Sequence, residues 1–295
     1  MIKQTGLTYA SAKYSKALFL AEGKVGKSSF LVASALGLLP WQKAGGVVDK
    51  PEHLHVFTFD SSALAGIAGF LGRTCGASAA ALNFNVYNFQ DDTRKVSTQT
   101  GDWDFSLYEQ IKGALDEVKR KAKAGGTHVV VVSSLTGLAA ALKRGIAGPV
   151  GSGKKGSGMD MAKWDAYGAC LSELRNIFQD DAWHCFFEAH VFSKEKDGNT
   201  EESLSLEGKS GQNFAFNVEQ VFRVRRMFNQ KHEKSACDKV YLDTRPKMEC
   251  IANGRGFTES LDAQEPDLTV ALKKLGLTVG GWLPTSNQPV TSEAK

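Results

Sequence analysis

AEGKVGKSSF, residues 21–30, decides how the rest of the chain is read. The apolar run ALFL (17–20) precedes it, and SSFLVASALGLL (28–39), with helical texture, follows it and ends at Pro40. Strand, glycine turn and helix in that order make a phosphate-binding loop. The turn's N–H groups and the positive end of the helix then face one anion. The stretch fits the P-loop pattern with Ala21 in place of the first glycine. Gly23 and Gly26 supply the turn, Lys27 reaches the terminal phosphates and Ser28 is the Mg²⁺ ligand. The expected ligand is ATP with Mg²⁺, and its binding set is Gly23, Lys24, Val25, Gly26, Lys27, Ser28 and Ser29.

A second stretch, GPVGSGKKGSG (148–158), also satisfies G-x-x-x-x-G-K. It follows a helix instead of a strand, Lys155 stands where the hydroxyl should be, and no apolar helix begins there. Two readings remain for it: a surface linker, or a mobile basic loop that meets a polyanion.

The totals bound the problem. A chain of 295 residues with 42% hydrophobic and 23% charged residues suits one large globular domain. Net charge is only +4, so the placement of basic residues matters more than their sum. The five cysteines are scattered and none forms C-x-x-C, which argues against a disulfide framework or zinc site and for a reducing compartment. No apolar run approaches the roughly 18–20 residues that span a bilayer, and the amino terminus lacks a signal peptide's apolar core. The expectation is a cytoplasmic protein with no membrane partner.

Beyond the P-loop, strand-like runs alternate with helical ones. HLHVFTF (53–59), LNFNVYNF (82–89), THVVVV (127–132) and WHCFFEAHV (183–191) read as strands. An Ala/Leu-rich segment after Ser62, residues 105–126, Leu135–Arg144 and Met159–Gln179 read as helices. The alternation implies an α/β fold, a mostly parallel sheet with helices on both faces. From Asn217 onward NVEQVFRVRRMF, KVYLDT and KMECIA follow one another without helices, which predicts an antiparallel C-terminal extension. The expected organisation is a core over 1–260, a C-terminal helix within 261–280 and a loose tail over 281–295.

P-loop enzymes usually place an acid at the end of a neighbouring strand to hold the magnesium water shell. THVVVV ends instead in Ser133-Ser134. A serine can bond a metal-bound water but brings no charge. Asp60, closing HLHVFTFD, can orient or deprotonate water, or can equally serve as a helix N-cap. His190 closes the next strand and can report nucleotide state, or can be a hydrogen-bonded surface histidine. Asp60, Ser133 and His190 are the candidate catalytic residues. Basic residues gather at Lys143, Arg144, Lys154 and Lys155, and again around Arg223 and Arg225. Such tracks suit the backbone of a single-stranded nucleic acid.

Taken in order, YSKALFLAEGKVGKSSF, HVFTFDSS, THVVVVSSLTGLA, MDMAKWDAYGACLSELRNIF, HCFFEAHVFSKEKDG and LSLEGKSGQNFAFNVEQVFRVRR resemble the phage-encoded RecA-like nucleotide-binding proteins, over residues 14–257. The resemblance implies a RecA-like P-loop NTPase core acting in single-strand annealing or recombination. It puts Ser133 at the Walker B position, the catalytic acid near Asp60–Ser62 and a polar sensor at His190. It puts two DNA-contacting loops at 145–158 and 191–210, and makes Lys209 and Arg255 candidates for charges given to a neighbouring subunit's nucleotide. The partners it implies are single-stranded DNA, further copies of the chain in a filament or ring, and a single-strand-binding protein. Two departures stand out: the Walker B aspartate is missing, and no glutamate occupies the catalytic position. ATP binding is therefore better supported than fast hydrolysis. A nucleotide-gated binding or scaffolding protein without turnover is the alternative, with a helicase-type motor below it.

Overall fold

β1 (Lys16–Ala21) is the strand around which the chain is built, and every residue in it is buried. A strand so covered must carry partners on both edges and layers on both faces, and it has them. β5 (His184–Lys196) lies parallel on one edge and β7 (Gln220–Met227) parallel on the other. The structure is a computed structural model. It describes residues 14, 16–22, 26–36, 53–73, 84–89, 104–147, 159–196, 199–214, 218, 220–227, 239–243 and 253–254.

The sheet continues outward from β5 through β4 (His128–Ser133), β2 (His53–Thr58) and β3 (Phe84–Asn88), all parallel. Its order is β3-β2-β4-β5-β1-β7-β8. The last strand, β8 (Lys239–Asp243), is antiparallel to β7, as is the short β9 (Asn253–Gly254). The antiparallel extension thus begins one strand later than the sequence led us to expect, because β7 pairs in parallel with β1. The outer half of β5 folds into a hairpin with β6 (Asn199–Leu204). The segment 191–210, expected as a loop, therefore carries paired strands and opens a short helix, α6 (Gly208–Gln212).

Period-2 alternation sorts the strand residues between two apolar layers. Leu18, Leu20, Val130, Val132, Phe187 and Ala189 face one layer, covered by α3 (Ser106–Lys123), α4 (Leu135–Ala147) and α5 (Met161–Phe178). Ala17, Phe19, Val129, Val131 and Phe186 face the other, covered by α1 (Lys27–Ala35) and α2 (Ser61–Arg73). With helices on both sides, β4 can afford four valines in a row, all buried. α5 starts where Asp160 caps it, its carboxylate accepting the Lys163 N–H at 2.9 Å. This is the α/β architecture the sequence led us to expect: a mostly parallel sheet with helices on both faces, and Gly26 at the carboxyl end of the central strand.

Lys154, Lys155, Arg255, the helix expected near 261–276 and the tail lie outside the described residues. Among the described residues no helix is long and apolar enough to cross a membrane.

Candidate functional site

The chain leaves β1 at Ala21 and enters α1 at Lys27. Between them Gly26 has φ +82, a left-handed conformation that favours glycine over any side chain, and its carbonyl accepts the Phe30 N–H at 2.9 Å. The turn thus ends by opening a helix, which leaves the first helical N–H groups directed toward the carboxyl edge of the sheet. Gly23, Lys24 and Val25 lie outside the described residues; Gly26, Lys27, Ser28 and Ser29 lie within them.

Lys27 is 5% exposed. Its ammonium donates to the Glu22 carbonyl at 3.0 Å and reaches the Ala21 carbonyl at 3.5 Å. Burial brings its pKa down to about 8, Glu188 opposing the shift and Arg223 adding to it. Neutral carbonyls are weak partners for such a cation, and a phosphate oxygen is a stronger one.

Ser133 ends β4 fully buried, where the expected acid is missing. The carboxylate of this site comes from β5. Val132 lies opposite Phe187 in the β4–β5 register, so the next residues, Ser133 and Glu188, are neighbours on the α1 face. Glu188 Oε1 accepts both the Ser28 hydroxyl and the Ser133 hydroxyl, each at 2.8 Å. Its other oxygen, Oε2, is buried without a hydrogen-bond partner. Burial raises the Glu188 pKa, while Lys27 and the two hydroxyls pull it down and Asp60 pushes it up again.

Asp60 and His190 both belong to this neighbourhood. Asp60 directly precedes α2, in the position of an N-cap, and is half-buried. His190 lies opposite Ala21 at the β1 tip, and its backbone N–H donates to Thr136 Oγ1 at 3.0 Å. Burial lowers the imidazole pKa, Lys27 lowers it further and Asp60 opposes both. Lys27, Ser28, Asp60, Ser133 and His190 therefore come together from four places in the chain. Glu188 is the member that sequence reasoning missed. Its signal was available: one acid inside the otherwise apolar HCFFEAH, on the same face as His190.

The basic residues divide differently. Arg223 is 4% exposed, and its Nε donates to both Glu202 oxygens, at 2.9 and 3.1 Å. Its guanidinium also approaches Glu22 at 3.7 Å, so its charge is taken up inside the chain, beside the phosphate loop. Lys143 pairs with Glu207 and lies over the Trp164 ring, 5.3 Å from its centroid. Arg144 and Lys209 are exposed. The side chain of Arg225 lies outside the described residues, though its backbone pairs with Tyr241 in β8.

Among the described residues no three His, Cys, Asp or Glu side chains gather as a metal cage. One hydroxyl and one carboxylate suit the cation that takes its other ligands from phosphate and water, which is the habit of Mg²⁺.

No protein-family model matches the chain, and no curated protein matches it. Among solved structures it is similar to the ATPase domain of G40P, at 8% identity and TM-score 0.37, over 78% of this chain and 77% of that one. It is also similar to a prototypical ATPase from the type III secretion system of pathogenic bacteria, at 11% identity and TM-score 0.42, over 71% of this chain. The match spans 50% of the secretion ATPase. The strand order and the loop carry the reading of the site, not these likenesses.

Proposed function

We propose that this chain binds ATP·Mg²⁺ and single-stranded DNA, self-assembles, and serves strand annealing or recombination of the phage type with slow hydrolysis. One observation supports it above the rest: Lys27 and Ser28 open a helix at the tip of the central strand, with a buried carboxylate across from the serine. On this reading the loop N–H groups and Lys27 bind the phosphates, Ser28 holds the metal, and Asp60 and His190 are the residues that orient an attacking water.

The nucleic-acid part draws on the opposite side of the sheet edge. A cleft of about 680 Å³ opens beside Lys143 and is lined by Trp164, Tyr167 and Phe192. Phe192 is 39% exposed, and aromatic rings beside a cation suit a stacked base and its phosphate. In the sequence the basic stretch 148–158 follows α4, the helix that lends Lys143 to this cleft. Assembly into a filament or ring, with Lys209 and Arg255 reaching a neighbour's nucleotide, completes the reading.

Titration of single-stranded DNA with and without ATP tests it. Binding should be salt-sensitive, strengthened by ATP, and weakened in Lys154→Ala/Lys155→Ala without loss of ATP affinity. Absent or salt-insensitive binding under both conditions rejects it. A second reading, a nucleotide-gated binding protein without turnover, is favoured by the uncharged Ser133 at the β4 tip. Steady-state phosphate release separates them: turnover that vanishes in Lys27→Ala rejects the second.

A further inference from the structure

We propose that Glu188 supplies from β5 the carboxylate that holds the magnesium shell, the work P-loop enzymes usually assign to an acid ending another strand. This rests on the nucleotide reading of the P-loop and goes beyond it by naming the residue that replaces the missing acid.

Position comes first. Glu188 lies opposite Phe19 in the β1–β5 register, two residues before His190 meets the tip of β1, on the face that α1 covers. That brings its Oε1 within 2.8 Å of the hydroxyl of Ser28. A serine hydroxyl has one proton and two lone pairs. With its proton given to Glu188, Ser28 keeps its lone pairs for a cation, and the carboxylate sets the direction in which they point.

The second observation is the unpartnered oxygen. Glu188 is 3% exposed, yet Oε2 has no hydrogen-bond partner. An oxygen left unpaired on a buried acid is costly until a donor completes it. A metal-bound water is a donor of the right kind for it. Lys27 supplies compensating positive charge nearby, as its electrostatic influence on Glu188 records.

Ser133 then acquires a positioning role. Its hydroxyl donates to the same Oε1 at 2.8 Å, so β4 clamps the acid instead of providing one. An aspartate at 133 would face Glu188 across neighbouring strands, and two carboxylates so placed repel. The two positions therefore exclude each other: the acid sits at one or at the other.

The test exploits that exclusion. Fluorescent ATP is titrated in EDTA and in Mg²⁺, and Mn²⁺ binding to the ATP complex is followed by electron paramagnetic resonance. In wild type, affinity rises from EDTA to Mg²⁺. Glu188→Gln, of the same shape, should shrink the gain in affinity from EDTA to Mg²⁺ by about tenfold or more, whatever its EDTA affinity, and alter the Mn²⁺ spectrum. Glu188→Ser/Ser133→Asp returns the acid to β4 and should restore the metal dependence. A Glu188→Gln protein that keeps the full metal increment overturns the proposal, as does a relocated acid that restores nothing. Wild type that binds ATP with an increment indifferent to Glu188 sinks this role alone. Wild type that binds no ATP in either condition sinks the nucleotide reading with it.

Discussion

At the amino ends of the parallel strands the chain buries His55, His128, His184 and Lys16; toward the carboxyl ends it buries Lys27, Ser133 and Glu188. The first group is held mostly within the chain, although the buried His55 Nδ1 has no hydrogen-bond partner. Lys16 donates to the carbonyls of Asp180 and Trp183. His128 Nε2 stands 3.3 Å from the Gly125 carbonyl, which can only accept, so that nitrogen carries the proton. Its Nδ1 is then the acceptor for His55 Nε2–H at 3.1 Å. The second group stays open: one acid oxygen is unpaired, and the lysine rests on weak acceptors. Both ends keep an unpaired buried atom; what sets the second apart is that its unpaired oxygen belongs to an acid that shares its surroundings with a lysine.

The sharpest way to break this contrast is a pair of lysine substitutions. Lys27→Ala should cut ATP affinity about 10–100-fold, the worth of a charge-assisted bond. Lys16→Ala should do the reverse, costing about 1–3 kcal/mol of stability by orphaning two carbonyls while ATP affinity holds. If both lysines behave alike, the two ends do not differ as described.

Acid supplies the next test. Burial lowers the His55 pKa from 6.5 to about 3, with His128, Lys121 and His53 adding to the shift and Glu117 opposing it. Burial, then Lys16, lowers His184 to about 3 as well. Both stay neutral in the folded chain and take protons when it unfolds. Their stabilisation is complete above pH 6.5 and declines as pH falls from there toward 3, by roughly 1 kcal/mol per histidine over the first unit. Urea unfolding at stepped pH reads this directly; a flat profile between 6.5 and 5.5 refutes it.

Glu188→Gln should raise Tm by about 3 °C, because an amide is cheaper to bury than a half-paired carboxylate. A lowered Tm would put Glu188 with the first group. The smallest effect belongs to Lys143→Ala, whose pair with Glu207 is partly exposed; it should change stability by less than about 1 kcal/mol.

Much of this architecture was legible in the sequence because each signal was local. ALFL, THVVVV and the glycine turn carry their own period and punctuation, and β1 to β4 formed within two residues of where the pattern put them, whereas β5 runs five residues past its expected end at 191. The parallel pairing of β7 was not legible, since strand direction is set by how the chain returns and not by the residues of VFRVRR. Neither was the role of Arg223. Its alternation with Val224 and Arg225 reads as a basic surface strand, and only the β5–β6 hairpin shows that Glu202 covers it. Glu188 was hidden for a similar reason. Attention to the strand end finds His190, whereas contact with Ser28 depends on a register across three strands.

Arg223 binds more than one part of the molecule together. Its Nη1 reaches the Val224 carbonyl at 3.0 Å and the Leu20 carbonyl at 3.5 Å, while its other nitrogens grip Glu202. The hairpin is thereby latched to the strand that delivers the phosphate loop. Any force that lifts β6 must either tear a forked ion pair or drag the cation away from Lys27. Arg223 also helps to lower the Lys27 pKa, so the charge of the lysine is set in part from outside the loop, through a cation that Glu202 holds.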